Sequence, residues 1–171
     1  MKALALIALA LSSPATAEVV SASPNGFEVR ESVGVEQPSE RAFTAFGSIG
    51  SWWSAEHSYS GNASNLSLDL QPGGCFCERL PNGGGVQHMH VTYVDPGKRI
   101  VLTGSLGPLL FLSTTGVMDV KFEPLAGGTQ ITLDYRAAGF FNGGADRVAP
   151  AVDSVLGEQL TRLKAYLATS R

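Results

Sequence analysis

Cys75, Cys77, His88 and His90 are the side chains in this sequence best suited to bind a metal, form a crosslink or move a proton. They lie on two strand-like segments joined by Pro81-Asn82-Gly83-Gly84-Gly85, a turn-forming run. Side chains alternate along a strand, so each i, i+2 pair projects from one face. An even-numbered loop register would bring Cys77 opposite His88 and Cys75 opposite His90, with all four on one side of a hairpin. An odd register would put the two pairs on opposite sides. Thiolate and imidazole suit a tetrahedral zinc site, so these four residues are the candidate ligand set if a metal is bound. Cys-x-Cys facing His-x-His is not a standard zinc spacing, and no metal or other cofactor is expected. A Cys75–Cys77 disulfide would need a bulge, because i and i+2 of a regular strand lie about 6.5–7 Å apart, at the edge of disulfide reach. The reading adopted is two small thiols packed on a sheet, with the disulfide second and the metal third.

A second acid–base possibility joins His57 and His88 with Glu78, since a nearby carboxylate raises a histidine pKa and helps it shuttle protons. No nucleophile with an obvious orienting partner accompanies them. Trp52, Trp53, Phe111 and Met118 read as cavity lining or as plain core. The glycine runs at 83–85 and 139–144 do not follow a strand and open a helix, as a phosphate-binding loop would, and read as turns.

The elements that would position these groups follow from periodicity. Lys2, the apolar run Ala3–Leu11 and Ala15-Thr16-Ala17 have the pattern of a cleaved export signal over residues 1–17. That run falls well short of the roughly 20 residues a membrane span needs. A polar leader is expected over 18–26, and one domain over 27–168. The chain is 171 residues long with a formal net charge of −3, 44% hydrophobic residues and 20 glycines. This describes a turn-rich globular domain without a basic stripe, which argues against nucleic acid or stable membrane insertion as partners.

Phe27, Val29, Val33 and Val35 alternate with Glu28 and Arg30, as in a half-buried strand. A short helix opens near Pro38-Ser39-Glu40. Strands are then expected at 66–70, 75–80, 86–94, 99–105, 115–122 and 129–136, separated by turns such as Asp95-Pro96-Gly97-Lys98. A long amphipathic helix follows over 150–167, with Val152, Val155, Leu156, Leu160, Leu163 and Leu167 on its apolar side. Short connections between consecutive strands imply an antiparallel meander. The fold class is α+β: a curved antiparallel sheet of about seven strands wrapped on a long C-terminal helix, with a cavity between the two layers as the natural ligand site.

Several segments, in order, resemble the START-like helix-grip superfamily, in its polyketide-cyclase-like and heat-shock-ATPase-activator-like branch. They are Trp52-Trp53, Gly73-Gly74, the turn and strand Val94–Thr103, Val120–Pro124, and Gly127-Gly128-Thr129 leading to Ile131-Thr132-Leu133. The resemblance spans Phe27 to Leu167. Ser54-Ala55-Glu56-His57 stands where such proteins often carry Gly-Pro, which changes the expected pocket mouth. The resemblance implies a helix-grip cavity, but members include binders, cyclases and co-chaperone modules, so it does not fix an activity.

The expectation is therefore an exported, periplasmic or secreted protein that binds a small apolar or amphipathic molecule. Its site is formed by Trp52, Trp53, His57, His88, His90, Phe111, Met118, Val152, Val155 and Leu156. The second reading is a cyclase or hydro-lyase type enzyme using pocket His and Glu residues. The third is a protein-interaction module.

Overall fold

The computed structural model describes residues 16–169. Most of the expected export signal, residues 1–15, lies outside this range. The sheet has eight antiparallel strands: β1 (Thr16–Ser23), β2 (Gly26–Val35), β3 (Leu66–Leu68), β4 (Cys75–Arg79), β5 (Gly85–Asp95), β6 (Arg99–Gly104), β7 (Thr114–Leu125) and β8 (Gly128–Gly139). Their order across the sheet is β1-β2-β8-β7-β6-β5-β4-β3. From β3 to β8 the chain is a simple meander, and the β1–β2 hairpin closes onto the far side of β8.

The eighth strand is β1, in the segment expected to be a loose leader. Val19 is partly buried against the core while Val20 and the polar residues around the pair are exposed, so the segment shows no repeating buried face from which a strand could be read. Its register comes from main-chain pairing with β2, Glu18 opposite Arg30 and Ser23 opposite Gly26. Thr16 and Ala17 are part of that pairing, and cleavage after Ala17 would leave Glu18–Ser23 in the sheet.

Alternation sorts each strand into two faces. Val29 and Val33 of β2, Ile131, Leu133 and Tyr135 of β8, Met118, Val120 and Phe122 of β7, and Ile100 and Leu102 of β6 are all buried on the concave side. Each such side chain contributes about 1.5–3 kcal/mol on leaving water. The outer face carries cross-strand ion pairs instead. Arg99 makes two bonds to Asp119, at 2.8 and 2.7 Å. Asp134 lies between Arg30 and Lys121. Asp119 and Asp134 are direct cross-strand partners; these cations relieve the like-charge repulsion such a pair would otherwise impose.

Helix α1 (Ser39–Gly47) buries Ala42, Phe43, Ala45 and Phe46. Helix α2 (Ala149–Thr169) lies across the concave face and buries Leu156, Gln159, Leu160, Leu163 and Leu167. These recur at spacings of three and four, the stripe a helix needs to face a core. Among the described residues, no helix is long and apolar enough to cross a membrane.

Cys75 and Cys77 form a disulfide, with Cα atoms 5.3 Å apart. This corrects the expectation of two free thiols. β4 is contracted here below the i, i+2 spacing of a regular strand, beside an irregularity in its pairing with β5. Phe76 and Glu78 face the core, so both sulfurs lie on the outer face. The crosslink closes a loop of sequence separation 2, and so short a loop removes little chain entropy. Reduction is expected to cost about 1.5 kcal/mol and to leave ligand binding in the cavity unchanged. Urea melts and binding titrations with and without a reductant check both points.

Candidate functional site

A cavity of about 320 Å³ lies between α2 and the concave sheet. Its helix wall is Ala151, Val152, Val155 and Leu156, with Val148 just before. Its sheet wall is Phe76, His88 and Tyr135. Trp53 and Glu56–Tyr59 close one side, and Leu106–Leu109, in and beside the short 3₁₀ turn Gly107–Phe111, close the other. Almost all of this surface is apolar. At the mouth, His57 Nε2 lies 3.1 Å from Glu158 Oε2 and ties the loop to α2. Trp53 is held by its indole N–H, which donates to the His57 carbonyl at 2.9 Å.

Of the expected site residues, Trp53, His57, His88, Val152, Val155 and Leu156 line this cavity. The other four do not. Trp52 is buried in the core, where its indole N–H donates to the Ala45 carbonyl at 3.0 Å. Met118 is core packing under the sheet. Phe111 is 74% exposed and touches the rim only through an edge contact with Tyr59. His90 is exposed on the outer face, opposite Cys75.

The two histidines part company because of a bulge. Phe76 pairs with Met89 and Cys77 with Gln87, which leaves His88 as an extra residue in β5. A bulge breaks strict alternation and re-aims side chains. His88 therefore turns inward together with Met89, while His90 stays outside. The alternative metal set of Cys75, Cys77, His88 and His90 is thus not assembled: both sulfurs are in a disulfide, and the two imidazoles are on opposite faces.

His88 is instead held in a polar pair inside an apolar wall. Its Nε2 lies 3.0 Å from Glu78 Oε2, and the two side chains are 4% and 0% exposed. Glu78 also accepts the main-chain N–H groups of Tyr59 (3.1 Å) and Ser60 (2.5 Å). Burial alone would raise the Glu78 pKa, but the donors from Ser60, Tyr59 and His88 outweigh it, and the carboxyl is held below its ordinary value. Burial lowers the His88 pKa against the opposing pull of Glu78. The pair is therefore a carboxylate and a neutral imidazole at neutral pH. Tyr135, also on the wall, is pushed up to about 12 by burial, although the Leu106 N–H it accepts works the other way.

Alternation within Cys75-Phe76-Cys77-Glu78 places Phe76 and Glu78 on one face. The sequence offered no sign that Tyr59 or Leu106 would reach the cavity, since both sit in irregular segments set by tertiary packing.

A family model described as Activator of Hsp90 ATPase homolog 1-like protein matches residues 41–168. No curated protein matches the chain. Among solved structures, a protein from Rhizobium leguminosarum is 21% identical, with a TM-score of 0.61 over 92% of this chain and 100% of that one. CalU16 from Micromonospora echinospora is 10% identical, with a TM-score of 0.61 over 92% and 88%. DynU16, a protein in the dynemicin biosynthetic locus, is 18% identical, with a TM-score of 0.59 over 83% of this chain and 47% of that one. At these identities the structures speak for the fold alone, and that fold is the START-like helix-grip. With three quarters of its length matched by the family model, the chain belongs to the Activator of Hsp90 ATPase homolog 1-like family.

Proposed function

We propose that this protein binds a small apolar or amphipathic molecule in the cavity between α2 and the sheet. One observation carries the reading: a cavity of about 320 Å³ whose wall is apolar except for a few groups, above all His88. This volume is at the small end of the range for ligand pockets. Val155 is partly buried and lines the helix wall, so Val155→Trp would fill the space without touching the polar pair. The neutral dye N-phenyl-1-naphthylamine is expected to brighten on binding the wild-type chain and to bind about tenfold more weakly to the variant. An unchanged affinity would move the site elsewhere.

The proposed setting is outside the cytoplasm. Lys2, the apolar run and Ala15-Thr16-Ala17 support export, and the Cys75–Cys77 crosslink suits an oxidising compartment. Exported protein should begin at Glu18 on N-terminal sequencing; a cytosolic chain retaining Met1 would refute this.

A second reading, a cyclase or hydro-lyase type enzyme, draws on the buried His88–Glu78 pair beside the cavity. A carboxylate that orients a neutral imidazole is a usable general base. Turnover abolished by His88→Gln would favour this reading over simple carriage.

A further inference from the structure

The Cys75–Cys77 crosslink adds little to the fold, because the loop it closes has a sequence separation of only 2. A disulfide and the fold that holds it stabilise each other by the same amount. The fold therefore protects this bond from reduction little better than an unfolded peptide would. Exposed disulfides of that kind are the ones that exchange readily with thiols.

The surroundings of the bond are a second, independent observation. β4 alternates: Phe76 and Glu78 are buried, whereas Cys75, Cys77 and Arg79 share the outer face. Both cysteines are part-exposed, and Arg79 is exposed. Across the pairing with β5, His90 stands opposite Cys75 and Gln87 opposite Cys77, and both are exposed. Directly opposed residues hold their side chains side by side on one face, so an imidazole flanks Cys75 from β5. On the other side, the short edge strand β3 places exposed Ser67 opposite Cys77. Beyond the end of β3, Asp69 donates its main-chain N–H to the Cys75 carbonyl at 3.2 Å, and its carboxylate accepts from the Gln71 amide at 2.6 Å. The two sulfurs are thus unlike. Cys77 has a permanent cation two residues on and a hydroxyl and an amide on either side, a setting that favours a thiolate. Cys75 has a proton acceptor across from it and an acidic residue beside it.

We propose that Cys75–Cys77 is a thiol–disulfide exchange site that oxidises the dithiol of a partner peptide. This activity goes beyond ligand binding in the cavity and does not depend on it. The first thiol of the partner gives its proton to His90 and attacks Cys75 Sγ. The Cys75–Cys77 bond breaks, and its electron pair leaves on Cys77 as a thiolate beside Arg79. The partner's second thiol then gives its proton to Cys77 and attacks the partner sulfur bound to Cys75. Cys75 leaves with the electron pair of that bond and takes the proton held by His90. The partner gains one disulfide, and this chain holds two thiols. A small-molecule disulfide such as oxidised glutathione runs the exchange in reverse and restores the crosslink.

The test uses the full oxidised chain and a reduced dithiol peptide whose fluorescence changes on oxidation. The free disulfide peptide of residues 73–79 is the comparison, since it carries both cysteines without His90. The chain is expected to oxidise the probe about a hundredfold faster than the free peptide does, the lower end of general-base assistance. Cys77→Ser should abolish the reaction and bind the naphthylamine dye as wild type does. His90→Gln should remove most of the gain over the free peptide. Its pH profile is a readout that a structural role would not move. The wild-type rate should level off once an imidazole has lost its proton, whereas the variant should keep rising with ionisation of the attacking thiol. A rate no faster than that of the free peptide would overturn the inference, and so would a His90→Gln profile parallel to wild type.

Discussion

Replacing Glu78 by alanine should destabilise the protein by about 3–5 kcal/mol, the cost of breaking a buried charged pair from one side. The side chain is 0% exposed, and its removal orphans three donors together: Tyr59 N–H, Ser60 N–H and His88 Nε2–H. Two of these belong to the loop that closes the cavity, so affinity for the naphthylamine dye should fall with stability. Glu78→Gln keeps an acceptor oxygen but turns an amide N–H₂ towards donors, and should lie between the two. The pH dependence has a definite sign. Glu78 is held below its ordinary carboxyl value of 4.5 in the fold, so its stabilisation is present above that value and is lost as pH falls through the folded pKa. His88 acts in the same direction, since its folded pKa is also depressed, from 6.5: the unfolded chain takes up its proton first as pH falls. Urea melts of wild type and Glu78→Ala from neutral to strongly acid pH should therefore converge towards the acid end. A constant difference would show that packing, and not charge, is what the carboxylate contributes.

The layers of this fold were legible in the sequence because their residues report burial directly. Ile131, Leu133 and Tyr135 alternate, and Leu156, Leu160, Leu163 and Leu167 recur at helical spacing. Both patterns survive into the structure as buried faces. β1 was not legible because an edge strand that sets a single partly buried residue, Val19, against the core has no alternation to show. The hairpin failed for a different reason. Reading His88 and His90 as one face assumed an unbroken ladder, whereas a bulge depends on the twist imposed by neighbouring strands. That one extra residue moved His88 next to Glu78 and put His90 outside. The Cys75–Cys77 crosslink was undecidable at the same spot, since it turns on a Cα separation that regular strand geometry does not allow. Glu31 was overlooked altogether. It stands in the middle of the inward row Phe27, Val29, Val33, Val35, where a charged residue gains meaning only from the helix packed above it.

That residue supports the second large prediction. Glu31 is buried between β2 and α2, beside Asp153, and its Oε1 and Asp153 Oδ1 have no hydrogen-bond partner. Gly157 makes the room: a Cβ there would meet Glu31 Oε2 at 3.0 Å, so a residue that costs helix stability is placed where the carboxyl must fit. Burial first, then the hydrogen bond and charge of Asp153, push the Glu31 pKa up from 4.5 to about 8. The folded chain then holds a proton that the unfolded chain releases throughout the window from about 4.5 to about 8. Stability is lost as pH rises across that window, the opposite sense to Glu78. The limiting slope is about 1.4 kcal/mol per pH unit; water drawn in beside the helix reduces the total, and a loss of about 2 kcal/mol between mildly acid and mildly alkaline pH is expected. Glu31→Gln cannot lose a proton and should donate to Asp153 at every pH. Its melting curves should match wild type near pH 5 and exceed it by that amount near pH 8. Because Asp153 is flanked by Val152 and followed by Val155 and Leu156 on the cavity wall, dye binding should weaken over the same range in wild type and not in the variant. Parallel pH profiles for the two proteins would mean that Glu31 is already ionised in the fold, with water satisfying its oxygens.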